Sequence, residues 1–232
     1  MPRNARCILP GTAYHITQRG SGHRPTFFTS QDRRVYLDLV RTNLADTGVH
    51  LLSYCLMSNH VHLVAQPDAA DSLAVLFRRV HGRYAQYLNA RRRRSGHLWQ
   101  NRFFSCPLAS DAHLWTALRY VERNPVRAGL ADRPEAYPWS SARAHLTGQD
   151  GEQILDLHFW REAGGAAAWR DLLGLAEEPG QVRLLRRCTY AGRPYGDEAF
   201  LAEWEDRFQR KWRRWAYEHS LTVSSSATGG RS

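Results

Sequence analysis

Between residues 49 and 65 the chain carries two apolar runs separated only by a short polar break at Ser58-Asn59. Strand-length runs so close together fold back on each other as an antiparallel hairpin, because a parallel crossover needs a dozen residues or more. The flanking sequence supplies more strands and the helices to cover them. Residues 13–17 read as a strand, followed by a Gly-rich break at residues 20–22. Ser30-Gln31-Asp32 opens a helix with apolar positions Val35, Leu37, Leu39, Val40 and Leu44, and Gly48 ends it. After the hairpin, Ser72 opens a long helix with its apolar face at Leu73, Leu76, Phe77, Val80, Tyr84, Tyr87 and Leu88. Residues 98–108 read as another strand, and Asp111 caps a helix whose stripe is Leu114, Trp115, Leu118 and Val121. Pro125 stops or bends that helix. The order strand, helix, strand, strand, helix, strand, helix predicts an α+β fold: a ferredoxin-like antiparallel sheet with helices on one face and one helix appended.

Beyond Gly129 the character changes. Tyr137-Pro138-Trp139-Ser140-Ser141 and His145 form an aromatic, turn-rich connector, and residues 163–178 read as partly helical. Asp197 caps a further helix with Phe200, Trp204, Phe208, Trp212 and Trp215 at helical spacing and arginines opposite. The expected division is a first domain over residues 1–148, a helical basic and aromatic extension over 149–221, and a disordered Ser/Gly tail over 222–232. Trp204, Phe208 and Trp212 read as packing residues rather than stacking platforms.

The formal net charge is +10, and Lys211 is the only lysine. Such an arginine-rich excess points to a polyanionic partner, nucleic acid first. The four cysteines, Cys7, Cys55, Cys106 and Cys188, lie far apart without Cys-x-x-Cys spacing, so a zinc ribbon or disulfide framework is not expected. With no signal-like N-terminal pattern and no membrane-length apolar run, a cytoplasmic protein is expected. A phosphate-binding loop is excluded, since Lys211 follows Arg210 rather than glycine.

A strand alternates its side chains, so His60, His62 and Val64 share one face while Val61, Leu63 and Ala65 share the other. Two neutral imidazoles so placed can bind a divalent metal. They equally read as two solvent-facing histidines, and among eleven histidines one His-x-His pair is nearly expected by chance. Tyr120 lies roughly 150° from the middle of its helix's apolar stripe, so it is not an obvious core residue, and a helix-surface tyrosine is the plain alternative. Asn124 follows one turn later on the same side, although Pro125 disturbs that spacing. A phenol with its pKa near 10 attacks phosphate only if the target is polarised and cations favour the phenolate. Arg119, Arg123 and Arg127 are expected to supply part of that field.

These residues resemble the HUH single-tyrosine transposases, and most of all their REP-associated tyrosine transposase branch. The resemblance rests on His60-Val61-His62, Tyr120 with Asn124, and the run Asn124-Pro125-Val126-Arg127-Ala128-Gly129. It also rests on Met1-Pro2-Arg3 with Ala5-Arg6, Pro10-Gly11 with Tyr14-His15, Leu98-Trp99-Gln100-Asn101-Arg102-Phe103-Phe104 and Tyr137-Pro138-Trp139-Ser140-Ser141. It implies a catalytic domain over residues 1–148 that cuts and rejoins single-stranded DNA beside palindromic REP-like hairpins. By resemblance, Tyr120 attacks the scissile phosphate to give a 5′-phosphotyrosine and a free 3′-hydroxyl. His60 and His62 bind Mg²⁺ or Mn²⁺, with Asn124 as third ligand. Arg3 and Arg6 read bases beside the hairpin, and Gln100, Asn101 and Arg102 are placed to do the same. From the residues themselves, Arg91 and Arg92, in the run 91–94, read as phosphate clamps or as a solvated charged loop, and Arg193 as entering a narrow minor groove or as punctuating a turn. Relatives differ on whether the tyrosine helix serves its own subunit or a partner's, so a homodimer is compatible with the resemblance.

Three other readings stay open. A domesticated DNA-binding protein of the same fold would bind without cutting, and a metal-water nuclease would not need Tyr120. An RNA-binding ferredoxin-like module would carry aromatic residues spaced by glycine on a strand, which no strand here shows.

Overall fold

The structure is a computed structural model that describes residues 6–212. Its elements are β1 (Tyr14–Arg19), α1 (Ser30–Thr47), β2 (Val49–Leu56), β3 (His60–Pro67), α2 (Ser72–Arg91), β4 (Phe104–Pro107), α3 (Asp111–Glu122) and α4 (Asn124–Arg127). Five further helices follow: α5 (Ala142–Thr147), α6 (His158–Glu162), α7 (Gly165–Gly174), α8 (Pro179–Ala191) and α9 (Glu198–Phe208). The four strands form one antiparallel sheet in the order β2-β3-β1-β4, which is the ferredoxin-like arrangement.

Local chemistry sets the main boundaries. At the start of α1 the Thr29 side chain accepts from the Asp32 backbone N–H, and Asp32 accepts in return from the Thr29 and Phe28 N–H groups. The other Asp32 oxygen accepts from Arg91 at 2.9 Å and from Tyr87 at 3.2 Å, which ties the start of α1 to the end of α2. Gly48 closes α1 with a left-handed φ of 57°, a conformation glycine adopts without strain. Asp197 caps α9 by accepting from the Phe200 N–H.

The pleat sorts the sheet into two cores. On one face Tyr14, Ile16, Val61, Leu63 and Ala65 pack beneath α1 and α2, joined by Leu201 and Trp204 from α9 and by Trp212. On the other face Cys55, Val64 and Cys106 pack beneath α3, and Trp160, Trp169, Leu185 and Cys188 from α6, α7 and α8 complete that layer. Both faces are therefore covered by helices, α1 and α2 on one side and the appended α3 with the later helices on the other.

Several details differ from the sequence expectations. Residues 98–103 do not continue β4: Trp99 makes a single bridge to Gly20, and Asn101 turns to a left-handed φ of 57°, which breaks the extended run. Ser110, not Asp111, is the N-cap of α3, and Asp111 sits in the first turn, where a carboxylate still meets the helix dipole. Pro125 bends rather than stops the chain, for α4 begins immediately and the Arg127 N–H donates to the Arg123 carbonyl. α9 ends at Phe208, because Gln209 adopts a left-handed φ of 51°, so Trp212 packs from outside the helix. The four cysteines are free thiols, three of them buried. Among the described residues no helix is long and apolar enough to cross a membrane. Arg3, Trp215 and the expected tail over 222–232 lie outside the described residues.

His81, buried in the α1–α2 layer with Nε2 3.0 Å from the Tyr36 hydroxyl, has its pKa pushed down to about 3 by burial. The unfolded imidazole titrates near 6.5, so the unfolded chain binds the extra proton as the pH falls below that value. This one group should lower the unfolding free energy by about 2 kcal/mol between pH 7 and pH 5. Urea denaturation at the two pH values measures it, and His81→Phe should remove that share; a wild-type stability unchanged at pH 5 would contradict a neutral buried imidazole.

Candidate active site

The hairpin register places the histidines. His62 lies opposite Thr17 and His60 opposite Arg19 on β1, while His15 lies opposite Val64. Directly opposed residues share a face, so His15, His60 and His62 stand together on the α3 side of the sheet. The His60 and His62 ring centroids are 4.8 Å apart at 83°. His62 Nδ1 lies 3.0 Å from His15 Nε2, and the two rings are nearly parallel at 9° with centroids 5.2 Å apart. That separation is the distance of rings side by side in one plane. The Asn59 amide nitrogen donates to the His23 carbonyl, so its oxygen accepts from His60 Nδ1 at 2.7 Å. His60 therefore carries its proton on Nδ1 and presents a lone pair on Nε2. Burial lowers the His60 pKa to about 4, helped by Arg19 and Arg186, and holds His62 well below its ordinary value. Both rings are neutral at physiological pH, as metal ligands must be. His62 is only 3% exposed, which rules out a pair of solvent-facing histidines.

Tyr120 stands edge-on against both coplanar rings, with centroids 5.4 Å from His15 at 89° and 5.4 Å from His62 at 90°. It is 4% exposed, which rules out a helix-surface tyrosine. α3 is roofed by the later helices as well as floored by the sheet, so its supposed outer side is also interior. Burial raises the Tyr120 pKa, and Arg127, Arg186 and Asn124 oppose that rise. Arg127 lies over the phenol ring, 4.5 Å from its centroid.

The other two arginines act elsewhere. Arg119 donates to the Leu175 carbonyl and Arg123 to the Leu173 carbonyl, and Arg127 also pairs with Glu177 at 2.6 Å. Spaced four residues apart, the three grip residues 173–177 onto the tyrosine helix. The field at Tyr120 thus comes from Arg127 and from Arg186 on α8, not from Arg119 and Arg123.

Asn124 is 8% exposed and sits beside Tyr120 at the start of α4. Its Nδ2 is buried without a hydrogen-bond acceptor, which an acceptor such as a phosphate oxygen would satisfy, while its oxygen is the atom a metal would take. Among the described residues no three His, Cys, Asp or Glu side chains cluster with metal-binding geometry. The residues present fit a metal held by two imidazole Nε2 atoms, with any further protein ligand being an amide such as Asn124.

Glu122, two residues from Tyr120, was not singled out in the sequence. It is fully buried and accepts from Ser141 at 2.6 Å, His145 Nδ1 at 2.5 Å and Trp169 Nε1 at 2.8 Å, with Ser53 at 3.4 Å. The same Ser141 binds β2 through the Tyr54 backbone, and Tyr137 donates to the Leu56 carbonyl. The Tyr137–Ser141 motif thus covers the edge of β2 and moors α3 to it. The available signal was a carboxylate next to Val121 at the end of an amphipathic helix, with a Ser-Ser pair downstream. Glu122→Gln turns an amide N–H toward a ring of donors and should cost about 3 kcal/mol or more in urea denaturation; a loss below about 1 kcal/mol would refute the network's role.

The expected DNA contacts fall into two groups. Arg6, Asn101, Arg102 and Arg193 line one cavity of about 830 Å³ beside β4, together with Arg210 and Lys211. Arg6 lies over the Phe103 ring at 3.6 Å and donates to the Phe103 carbonyl. Tyr190 of α8 also lines this cavity and accepts from Arg19, which links it to the histidine face. The others lie outside it. Arg91 is committed to Asp32 and Tyr87, Arg92 stacks on Phe28 at 3.8 Å, and the Gln100 backbone bonds to Arg19.

A ferredoxin-like sheet with two imidazoles facing a tyrosine helix defines a class, and comparison with known proteins points to a family. The family model of the IS200-like transposases matches residues 10–124. A Haemophilus influenzae protein named as a REP-associated tyrosine transposase is 26% identical over 120 residues, covering 46% of this chain and 68% of its own length. The solved structure of a REP-associated tyrosine transposase bound to a REP hairpin superposes with a TM-score of 0.56 at 16% identity, covering 68% of this chain and 96% of that one. At that identity the match establishes the shared fold.

Proposed function

We propose that this protein binds REP-like hairpin DNA and cleaves and transfers the adjoining single strand through Tyr120. The observation that carries the reading is the contact of the Tyr120 ring with His62 on a face that also holds His60, all three with neutral side chains. Tyr120 Oη attacks the scissile phosphorus, giving a 5′-phosphotyrosine and expelling the 3′-hydroxyl of the other fragment. The bond energy stays in the phosphotyrosine, so a 3′-hydroxyl reverses the step without a nucleotide cofactor. His60 and His62, with Asn124, would hold Mg²⁺ or Mn²⁺, which supplies charge to polarise the phosphate. Arg127 and Arg186 favour the phenolate as the proton leaves. The cavity lined by Arg6, Asn101, Arg102 and Arg193 receives the hairpin foot. The catalytic domain is residues 1–148, and helices α6, α7 and α8 of the extension over 149–221 roof its tyrosine helix.

The test is a denaturing gel of the protein incubated with hairpin-bearing single-stranded DNA and Mg²⁺. A covalent adduct should form, disappear in Tyr120→Phe and fall at least about 100-fold in His62→Ala. Because burial raises the phenol pKa, adduct formation should accelerate with pH above 7, with a slope approaching about one log unit per pH unit. Cleavage that survives Tyr120→Phe would point to a metal-water nuclease, and binding without cleavage to a domesticated binder.

For the cavity, Arg102→Ala with Arg193→Ala should weaken hairpin binding about 10-fold or more. It should also reduce the salt dependence of the binding constant by about two phosphate contacts. Fluorescence anisotropy across a salt series reads both, and an unchanged slope would place the DNA elsewhere.

A further inference from the structure

α8 lies beyond the segment that the family model matches, yet it reaches the histidine face. The Thr189 hydroxyl donates to the Leu185 carbonyl one turn earlier, at 2.8 Å. Having given its only proton there, it acts toward its other neighbours as an acceptor. His15 Nδ1 lies 2.7 Å away and Cys106 Sγ 3.2 Å away, so both donate to Thr189. That fixes the His15 proton on Nδ1 and leaves Nε2 as an acceptor. Among the described residues its hydrogen-bond partner is His62 Nδ1 at 3.0 Å, in the same plane, so His62 donates. The chain of bonds runs in one direction from His62 through His15 and Thr189 to the Leu185 carbonyl. All of it is buried, since His15, His62 and Thr189 are each 3% exposed or less.

We propose that His15 and Thr189 are positioning residues that set the His62 tautomer, with the proton on Nδ1 and the lone pair on Nε2 directed to the metal. This deepens the proposed function and rests on the reading of His60 and His62 as metal ligands. His60 is set the same way by Asn59, whose amide is oriented by the His23 carbonyl. The two ligands are thus prepared from opposite directions, one by the hairpin turn and one by the C-terminal extension. Orienting partners of this kind typically change metal affinity about 10- to 100-fold. The extension therefore completes the site chemically as well as covering it.

Two readouts test the relay. Proton–nitrogen correlation spectra of the metal-free protein report the His62 tautomer, and Mn²⁺ titration followed by electron paramagnetic resonance reports affinity. Wild type should show His62 protonated on Nδ1. Thr189→Val, which keeps the shape and removes the hydroxyl, should mix the tautomers and weaken Mn²⁺ binding about 10- to 100-fold; Thr189→Ser should restore both. A wild-type His62 protonated on Nε2, or a Thr189→Val protein with unchanged tautomer and affinity, would overturn the proposal. Equal Mn²⁺ binding by wild type and His62→Ala would instead defeat the metal reading, and the tautomer spectra would still decide the relay. The wild-type spectrum decides it even if Thr189→Val does not fold.

Discussion

The register between β1 and β3 governs everything that follows. Opposed residues of an antiparallel pair share a face, so pairing Thr17 with His62 and Arg19 with His60 places both imidazoles, and His15 with them, beneath α3. A slip of one residue would send His60 and His62 into the α1–α2 core and bring Val61 and Leu63 under the tyrosine. The apolar residues of β3 prevent that slip, because Val61, Leu63 and Ala65 are needed in the opposite core. The same alternation that buries one face thus assembles the polar centre on the other.

The sheet supplies the imidazoles, but it does not hold the tyrosine. α3 is moored by Glu122 to β2 and to Ser141 and His145, and by Arg119, with Arg123 at its end and Arg127 on α4, to residues 173–177. Tyr120 is thereby fixed against His15 and His62 from its own chain, and it is closed over by the extension. A buried phenol with a raised pKa is a poor nucleophile until charge is brought to it. Arg127 and Arg186 already lie near it, and a bound metal with the DNA phosphate would complete the balance. This arrangement favours a site that becomes active when substrate arrives rather than one standing open.

Much of this was legible in the sequence because it is local. The hairpin, the alternation of His60 and His62, the glycine that ends α1 and the Asp197 cap are all set by residues within a few positions of one another. The packing role of Trp204 was legible for the same reason. What the sequence hid depends on distant partners. Tyr120 did not read as core because the helical stripe could not reveal a second layer of helices over α3. Arg119 and Arg123 were expected to add to the field at Tyr120 because their acceptors lie 50 or more residues away along the chain. Residues 98–103 looked extended because the left-handed turn at Asn101 leaves no mark in the apolar pattern. Thr189 had no signal of its own and Glu122 only a faint one, since each matters through a contact with another element.

The central claim is that His60, His62 and Tyr120 form one metal-assisted centre within a single chain. Anomalous diffraction from crystals soaked in Mn²⁺ tests it most directly. The account predicts one peak bound by the Nε2 atoms of His60 and His62, beside the Asn124 carboxamide and the Tyr120 hydroxyl of the same chain. A peak on other residues, or none on the two imidazoles at saturating Mn²⁺, would contradict it.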